Sequence, residues 1–307
     1  MEKKTFEEVA RLWQGEKKKY VKRSTFAAYS LLLENHLIPA LGHMDDITEA
    51  VVQSFVLRKI DGGLSHQSVK DILIVLKMIL RYGVKYCNQK PRQIDIVFPT
   101  ERENNEVQIL SLTNQKKMMR HLTRHFSFLN LGILICLCCG LRIGEICALK
   151  WNDIDLESKI ILITKTIQRI YVPDGENSHT ELIIGPPKTK TSIRSVPIAD
   201  ELVEFILNSP QTSDPNHYVL TDSPTPIEPR TYRNHYNRLI RTLGLPKIKF
   251  HGLRHSFATR CIESQCDYKT LSAILGHANI STTLNLYVHP NQDQKQRCVE
   301  QMLQRLK

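Results

Sequence analysis

Apolar residues in the first part of the chain recur with the period of a helix. Phe6, Val9, Leu12 and Trp13 share one face behind Thr5, whose hydroxyl can close a capping box with Glu8. A second helix is predicted from Ser24 through TFAAYSLLLENHL, ending before Pro39. A third follows Thr48, with Val51, Val52, Phe55 and Val56 apolar. The clearest stripe is Val69, Ile72, Leu73, Leu76, Ile79 and Leu80, which Ser65 can cap and which ends near Gly83 or just beyond. Four helices with short connections describe a compact helical domain over residues 1–87.

The pattern breaks at Asn88. The stretch NQKPRQIDIVFPTERENNE is polar, holds two prolines and carries charges of both signs, so residues 88–106 read as a linker with some extended structure. A second domain is predicted over 107–307. Thr113 can open one helix, and FSFLNLGILICLCCG reads as a buried one. DIDLESKIILITKTIQRI and ELIIGPPKTKTSIRSVPI are rich in Ile, Val and Thr, with turn residues between them. They predict a small antiparallel sheet, and YVPDGENSHT its exposed hairpin tip. Helices return at ADELVEFIL, at PRTYRNHYNRLIRTLG and from His251 onward. The tail is amphipathic, with Val299, Met302, Leu303 and Leu306 on one face. The expected class is mainly α with a small antiparallel β-sheet.

Composition narrows the partners. A formal net charge of +11 is an electrostatic footprint for a polyanion, although charge alone also fits an ordinary basic protein. No apolar run is long enough to span a bilayer, and MEKKTFEEVA has neither signal nor transit character. The expectation is a cytoplasmic protein without membrane contact. Of eight cysteines, Cys136 and Cys139 have CxxC spacing, but no second pair or nearby histidine completes a zinc set. Buried free thiols are the expected state.

Three stretches put cationic or imidazole groups where a phosphate could sit. GLRIGEICALKW carries Arg142 between two glycines. HGLRHSFATR carries His251 and Arg254, three apart at a helix start. LGHANISTTLNLYVH carries His277, with Tyr287 ten residues later. Each has a plainer reading. Arg142 and Glu145 could be a helix charge pair, His251 and His255 a zinc pair lacking a third ligand, and Tyr287 a packing residue. All of them together and in this order are not explained by packing.

In these motifs the chain resembles the tyrosine recombinases, or phage integrases, and the resemblance covers nearly its whole length. The longer hairpin before PPKTKTSIRSVPI is closer to integrases of phages and conjugative elements than to recombinases that resolve chromosome dimers. The resemblance implies an N-terminal helical core-binding domain and a mixed α/β catalytic domain ending in a segment that docks on a neighbouring subunit. Because the helical domain starts almost at Met1, no N-terminal arm-binding domain is expected. Carried over residue by residue, the implied catalytic set is Arg142, Lys188, His251, Arg254, His277 and Tyr287, with Glu145 supporting Arg142.

The chemistry suits each type. Two guanidiniums and His277 can offset the charge of a phosphoryl transition state. Tyr287 would be the nucleophile, His251 the base that takes its proton, and Lys188 the acid for the departing 5′ oxygen. Lys190 rivals Lys188, since residues two apart in a strand share a face. The implied function is site-specific cleavage and rejoining of DNA through a 3′-phosphotyrosine intermediate, without metal, ATP or other cofactor. The implied partners are double-stranded DNA with a specific recombination site and three further copies of the chain in a synaptic tetramer, with room for accessory DNA-bending or directionality proteins. A type IB topoisomerase uses similar residues, a DNA-binding regulator could keep the fold without the activity, and a zinc hydrolase could use His251 and His255.

Overall fold

The computed structural model describes residues 4–100, 108–173, 177–210 and 214–287 and, beyond Tyr287, only 296, 299–300, 302–304 and 306. The end of the expected linker, the very tip of the hairpin, Cys298 and most of the tail lie outside these residues, and of Lys190 only the backbone is described. The chain divides into two compact units. The first comprises Met1–Asn105 with Arg169–Glu181, the second Glu106–Gln168 with Leu182–Lys307.

The first unit is built on α1 (Phe6–Lys17), α2 (Arg23–Leu32), α3 (Glu49–Asp61) and α4 (His66–Tyr86). Thr5 and Glu8 form the reciprocal cap at the start of α1. Its buried face is Phe6, Val9, Ala10 and Trp13, whereas Leu12, expected on that face, points to solvent. Val51 of α3 is likewise outside, and Val52, Phe55 and Val56 carry the packing. At its end α2 widens into a π-helical turn over Leu33–Leu37, which places both of those leucines in the core. The α4 stripe fills the centre of this core. Residues 88–100 form no helix or strand, yet Ile94 is buried and Gln53 bonds both ways with Val97, so this segment packs on the helices.

The second unit has its own core around α6 (Phe128–Cys139), which is buried almost all round. Ahead of it runs α5 (Leu112–Arg124), whose cap is Ser111 and not Thr113: the Ser111 hydroxyl accepts from the Asn114 N–H at 3.2 Å. Then come the short α7 (Ile143–Cys147), β1 (Ile154–Asp155), β2 (Ile160–Ile163), β3 (Thr166–Val172), β4 (His179–Gly185) and β5 (Arg194–Pro197). The strands make two sheets where one was expected. β1, β2 and β5 form an antiparallel sheet with Ile161 opposite Val196 and Ile163 opposite Arg194, and β3 pairs only with β4. Helices α8 (Asp200–Leu207), α9 (Pro229–Thr242), α10 (His251–Glu263), α11 (Tyr268–Leu275) and α12 (Ile280–Tyr287) complete the unit. Cys136, Cys139 and Cys147 are core residues whose thiols burial pushes up. Among the described residues no helix is long and apolar enough to cross a membrane.

The position of the α5 cap can be tested directly. Ser111→Ala should cost about 1 kcal/mol, the usual value of a lost hydroxyl cap. Thr113→Ala, at an exposed position, should change stability by about 0.5 kcal/mol or less. Urea denaturation of the full chain compares the two, and equal losses would contradict the assignment.

Candidate active site

The site is assembled in the second unit by the ends of helices. Helix α6 stops at Gly140, which adopts φ +66° and would, with a Cβ, press to 2.6 Å from the Phe257 ring. That turn delivers Arg142 to the start of α7. There its backbone N–H and one guanidinium nitrogen donate to the two oxygens of Glu145, at 2.9 and 2.8 Å. Glu145 is 3% exposed, so this is a buried carboxylate and not a surface charge pair.

A second arginine, not anticipated from the sequence, holds the same carboxylate. Arg194 of β5 donates to both oxygens of Glu145, at 3.0 and 2.9 Å. A period-two reading could have found it: Arg194 and Val196 share a strand face, and Val196 is fully buried. Burial alone would push the Glu145 carboxyl up, but the bonds and charge of Arg194, with those of Arg142, hold it below its ordinary value.

Helix α11 ties the arginines together. Its last residues and its cap present three successive carbonyls, each taken by a different guanidinium. Ile274 accepts from Arg194 at 2.6 Å, Leu275 from Arg254 at 2.6 Å, and Gly276 from Arg142 at 3.4 Å. Arg254 also donates to the Gly140 carbonyl at 2.8 Å. Terminal carbonyls of a helix lack partners within it and carry the negative end of its dipole, so they suit buried cations. Gly276 turns the chain out of α11 at φ +65°, and a Cβ there would come within 3.0 Å of Arg194 and the Thr191 carbonyl. The glycine of the LGH motif is thus what lets His277 follow directly on the arginine cluster.

His277 bonds through Nδ1 to the buried hydroxyl of Thr283 at 2.8 Å. Tyr287, at the end of α12, is 9% exposed and packs with Ala258, Leu271 and Leu275. Its hydroxyl lies 2.6 Å from Nδ1 of His255, one turn along α10 from His251. The side chain bonded to the tyrosine is therefore His255, not His251, the base expected from the resemblance. His251 stands edge-on to His255, ring centroids 4.6 Å apart, and borders a cavity of about 610 Å³ whose wall includes Arg233, Lys247 and Lys249.

Lys188 lies exposed in the bend after β4, and Lys190 opens a short 3₁₀ turn. The strand resumes only at Arg194, so the strand periodicity that would align Lys188 and Lys190 does not operate. Among the described residues no group of three His, Cys, Asp or Glu side chains could hold a metal ion.

The electrostatics point to an anion. Arg254 is 1% exposed and bonded to carbonyls only. Burial, then the neighbouring Arg142, hold it down to about 9; a guanidinium nevertheless stays charged at neutral pH, so the shift expresses the cost of a buried cation without an anionic partner. Burial, with the nearby Arg254 and Arg142, holds the half-buried His277 to about 4, and desolvation with His255 and the same arginines pushes His251 in the same direction although it is more open to solvent. Burial pushes the Tyr287 phenol up, against the pull of Arg254 and Arg142. Imidazoles held below their ordinary 6.5 bind fewer protons folded than unfolded, so stability falls as the pH drops from there towards about 4. His251→Asn combined with His277→Asn should flatten that fall in thermal melts of the DNA-free protein. A slope unchanged by the double substitution would refute the depressed imidazoles.

Residues 102–294 match the model of the phage integrase family, and residues 5–60 that of the phage integrase N-terminal SAM-like domain. A tyrosine recombinase XerC-like protein of Caldanaerobacter subterraneus subsp. tengcongensis is 30% identical over 271 residues, covering 81% of this chain and 69% of that protein. The fold is similar to that of the Tn1549 transposon integrase in complex with transposon right end DNA, with a TM-score of 0.76, 22% identity, and coverage of 96% of this chain and 99% of that one. It is also similar to lambda integrase in a tetramer bound to a Holliday junction, with a TM-score of 0.65, 18% identity, and coverage of 94% and 80%. With the family model spanning most of the second unit and the arginine, histidine and tyrosine motifs meeting at one place, the chain belongs to the phage integrase family and is a tyrosine-type site-specific DNA recombinase.

Proposed function

We propose that this recombinase cleaves and rejoins DNA through a 3′-phosphotyrosine link to Tyr287, acting as a synaptic tetramer on a specific site. We further assign 1–87 to a core-binding domain, 88–106 to a linker and 107–307 to the catalytic domain. The observation that carries the reading is the buried arginine cluster, which has carbonyls and one carboxylate for partners and an excess of positive charge beside the Tyr287 hydroxyl. A phosphodiester supplies the missing anion. As the transition state gains negative charge, Arg142 and Arg254 offset it from fixed positions, with no reorganisation at the moment of reaction. His277 donates to a non-bridging oxygen through Nε2, which needs Thr283 to donate to its Nδ1. His251 lies beside the same phosphate, and Glu145 keeps Arg142 in place. Lys188, carried on a loop, protonates the leaving 5′ oxygen. The guanidiniums do the work that ions do in two-metal nucleases, and the phosphotyrosine keeps the bond energy that ATP would otherwise provide.

The lambda integrase tetramer supports the assembly proposed for this chain. So do Val299, Met302, Leu303 and Leu306, all exposed and available to a neighbouring subunit. Affinity for DNA would come mainly from phosphate contacts and would weaken with salt.

Two measurements test the chemistry. The substrate is a duplex selected from random-sequence DNA on the purified full chain, then nicked beside the scissile phosphate so that cleavage is irreversible. Tyr287→Phe should bind it normally and leave no covalent adduct on a denaturing gel; a persistent adduct would exclude Tyr287. Lys188→Ala should cleave the ordinary substrate at least about 100-fold more slowly, but should cleave one with sulfur at the bridging 5′ position nearly as fast as the parent, because a thiolate scarcely needs protonation. Sulfur rescue of Lys190→Ala instead would move the acid to Lys190.

A further inference from the structure

The Tyr287 hydroxyl is bonded to an imidazole of α10. It sits 2.6 Å from Nδ1 of His255, with the two rings tilted and 5.5 Å apart. We propose that His255 is the catalytic base of the cleavage step, taking the phenolic proton as Tyr287 attacks. The inference rests on the reading of Tyr287 as nucleophile.

Three features support it. The contact is direct, whereas no hydrogen bond joins His251 to the phenol among the described residues, and His251 meets His255 edge to face. Among the described residues, the charged and titratable groups facing His255 are His251 and Arg254 on its own helix and Tyr287 on α12. Burial, then Arg254, keep this imidazole below its ordinary value, so at neutral pH it is uncharged and Nδ1 can carry the lone pair that receives a proton. Finally, α10 holds both parts of the machinery: Arg254 for the phosphate and, at the next residue, the acceptor for the nucleophile. The placement of one relative to the other is thus set by a single rigid helix.

The step balances. The Tyr287 oxygen bonds to phosphorus as the bond from phosphorus to the 5′ oxygen breaks. The phenolic proton passes to Nδ1 of His255, and the 5′ oxygen takes a proton from Lys188. In rejoining, the partner strand's 5′ hydroxyl displaces the tyrosine and passes its proton to the neutral amine of Lys188, while His255 returns the phenolic proton to Tyr287. The imidazolium formed on cleavage is disfavoured by Arg254 in the DNA-free protein, and the bound phosphate offsets that penalty.

The test uses the full chain and the nicked duplex described above. His255→Asn keeps a hydrogen-bonding atom near the position of Nδ1 but cannot take up a proton at neutral pH. It should bind the duplex as the parent does and form the adduct at least about 100-fold more slowly. Its remaining rate should rise with pH where the parent is flat. Replacing Tyr287 by 3,5-difluorotyrosine, whose phenol is more acidic, should restore most of the loss in His255→Asn and little in His251→Asn. A merely structural role for His255 would slow adduct formation without the new pH dependence and without the fluorotyrosine rescue. Should the Asn variant melt well below the parent, His255→Gln is read in the same way. Cleavage by His255→Asn at the parental rate and pH profile, or fluorotyrosine rescue in His251→Asn instead, overturns the proposal. Tyr287→Phe run alongside separates the two claims: an adduct there removes the nucleophile assignment, while its absence beside a parental His255→Asn removes only the base.

Discussion

Three guanidiniums, of Arg142, Arg194 and Arg254, gather at the end of one short helix, and like charges brought so close must be held there. The C-terminus of α11 does this with three carbonyls in a row, and Glu145 does it with a carboxylate shared by two of the three. Taking such ions out of water costs several kcal/mol each before partners are counted, so the cluster persists only because nearly every bond is aimed. The consequences run outward. Gly140 and Gly276 adopt left-handed turns that bring the carbonyls in, Arg194 bonds β5 to α11, and the turn at Gly276 places His277 directly after the cluster.

The remaining titratable groups take their character from that cluster. His277 is kept neutral by burial and by the same cations, the more exposed His251 is pushed in the same direction, and Tyr287 is pulled in opposite directions by burial and by Arg254 and Arg142. A site of this kind is set for a ligand that brings negative charge. The phosphate would relieve the arginines and, at the same time, permit a proton to rest on an imidazole. Binding and proton transfer are then coupled through one electrostatic balance.

The proposed catalytic groups are divided between helical and non-helical parts of the chain. Arg142, Arg254, His255, His277 and Tyr287 all sit on helices or at their ends, whereas Lys188 is carried in a bend between a two-stranded hairpin and β5. The proposed charge stabilisation is thereby carried by helices and their ends, while the proposed acid lies outside helix and strand. The hairpin itself is split between the two units, Arg169–Glu181 grouping with the first, where Tyr171 donates to Glu34 at 2.5 Å. The first unit needs none of this chemistry to fold: its α4 stripe, the α1 face and residues 94–98 close a separate core.

Much of this was determined by the sequence alone, and the reason is that local signals carry their own physics. The capping box at Thr5 and Glu8, the α4 stripe and the apolar α6 run specify their helices because periodicity and caps act over a few residues. The motifs around Arg142, Arg254, His277 and Tyr287 were legible through their resemblance to the tyrosine-recombinase pattern, which implied one shared site before any helix end was placed. What the tertiary structure decided is of longer range. Leu12 and Val51 turned outward because only the neighbouring helices choose which part of an apolar arc is covered. Arg194 lies 49 residues from Glu145, and nothing local announces their pairing. His255 and Tyr287 lie 32 residues apart, and no pattern along the chain says which imidazole of α10 meets the phenol. That choice depends on how α12 packs across α10, a matter of side-chain volume and helix crossing that only the folded chain resolves.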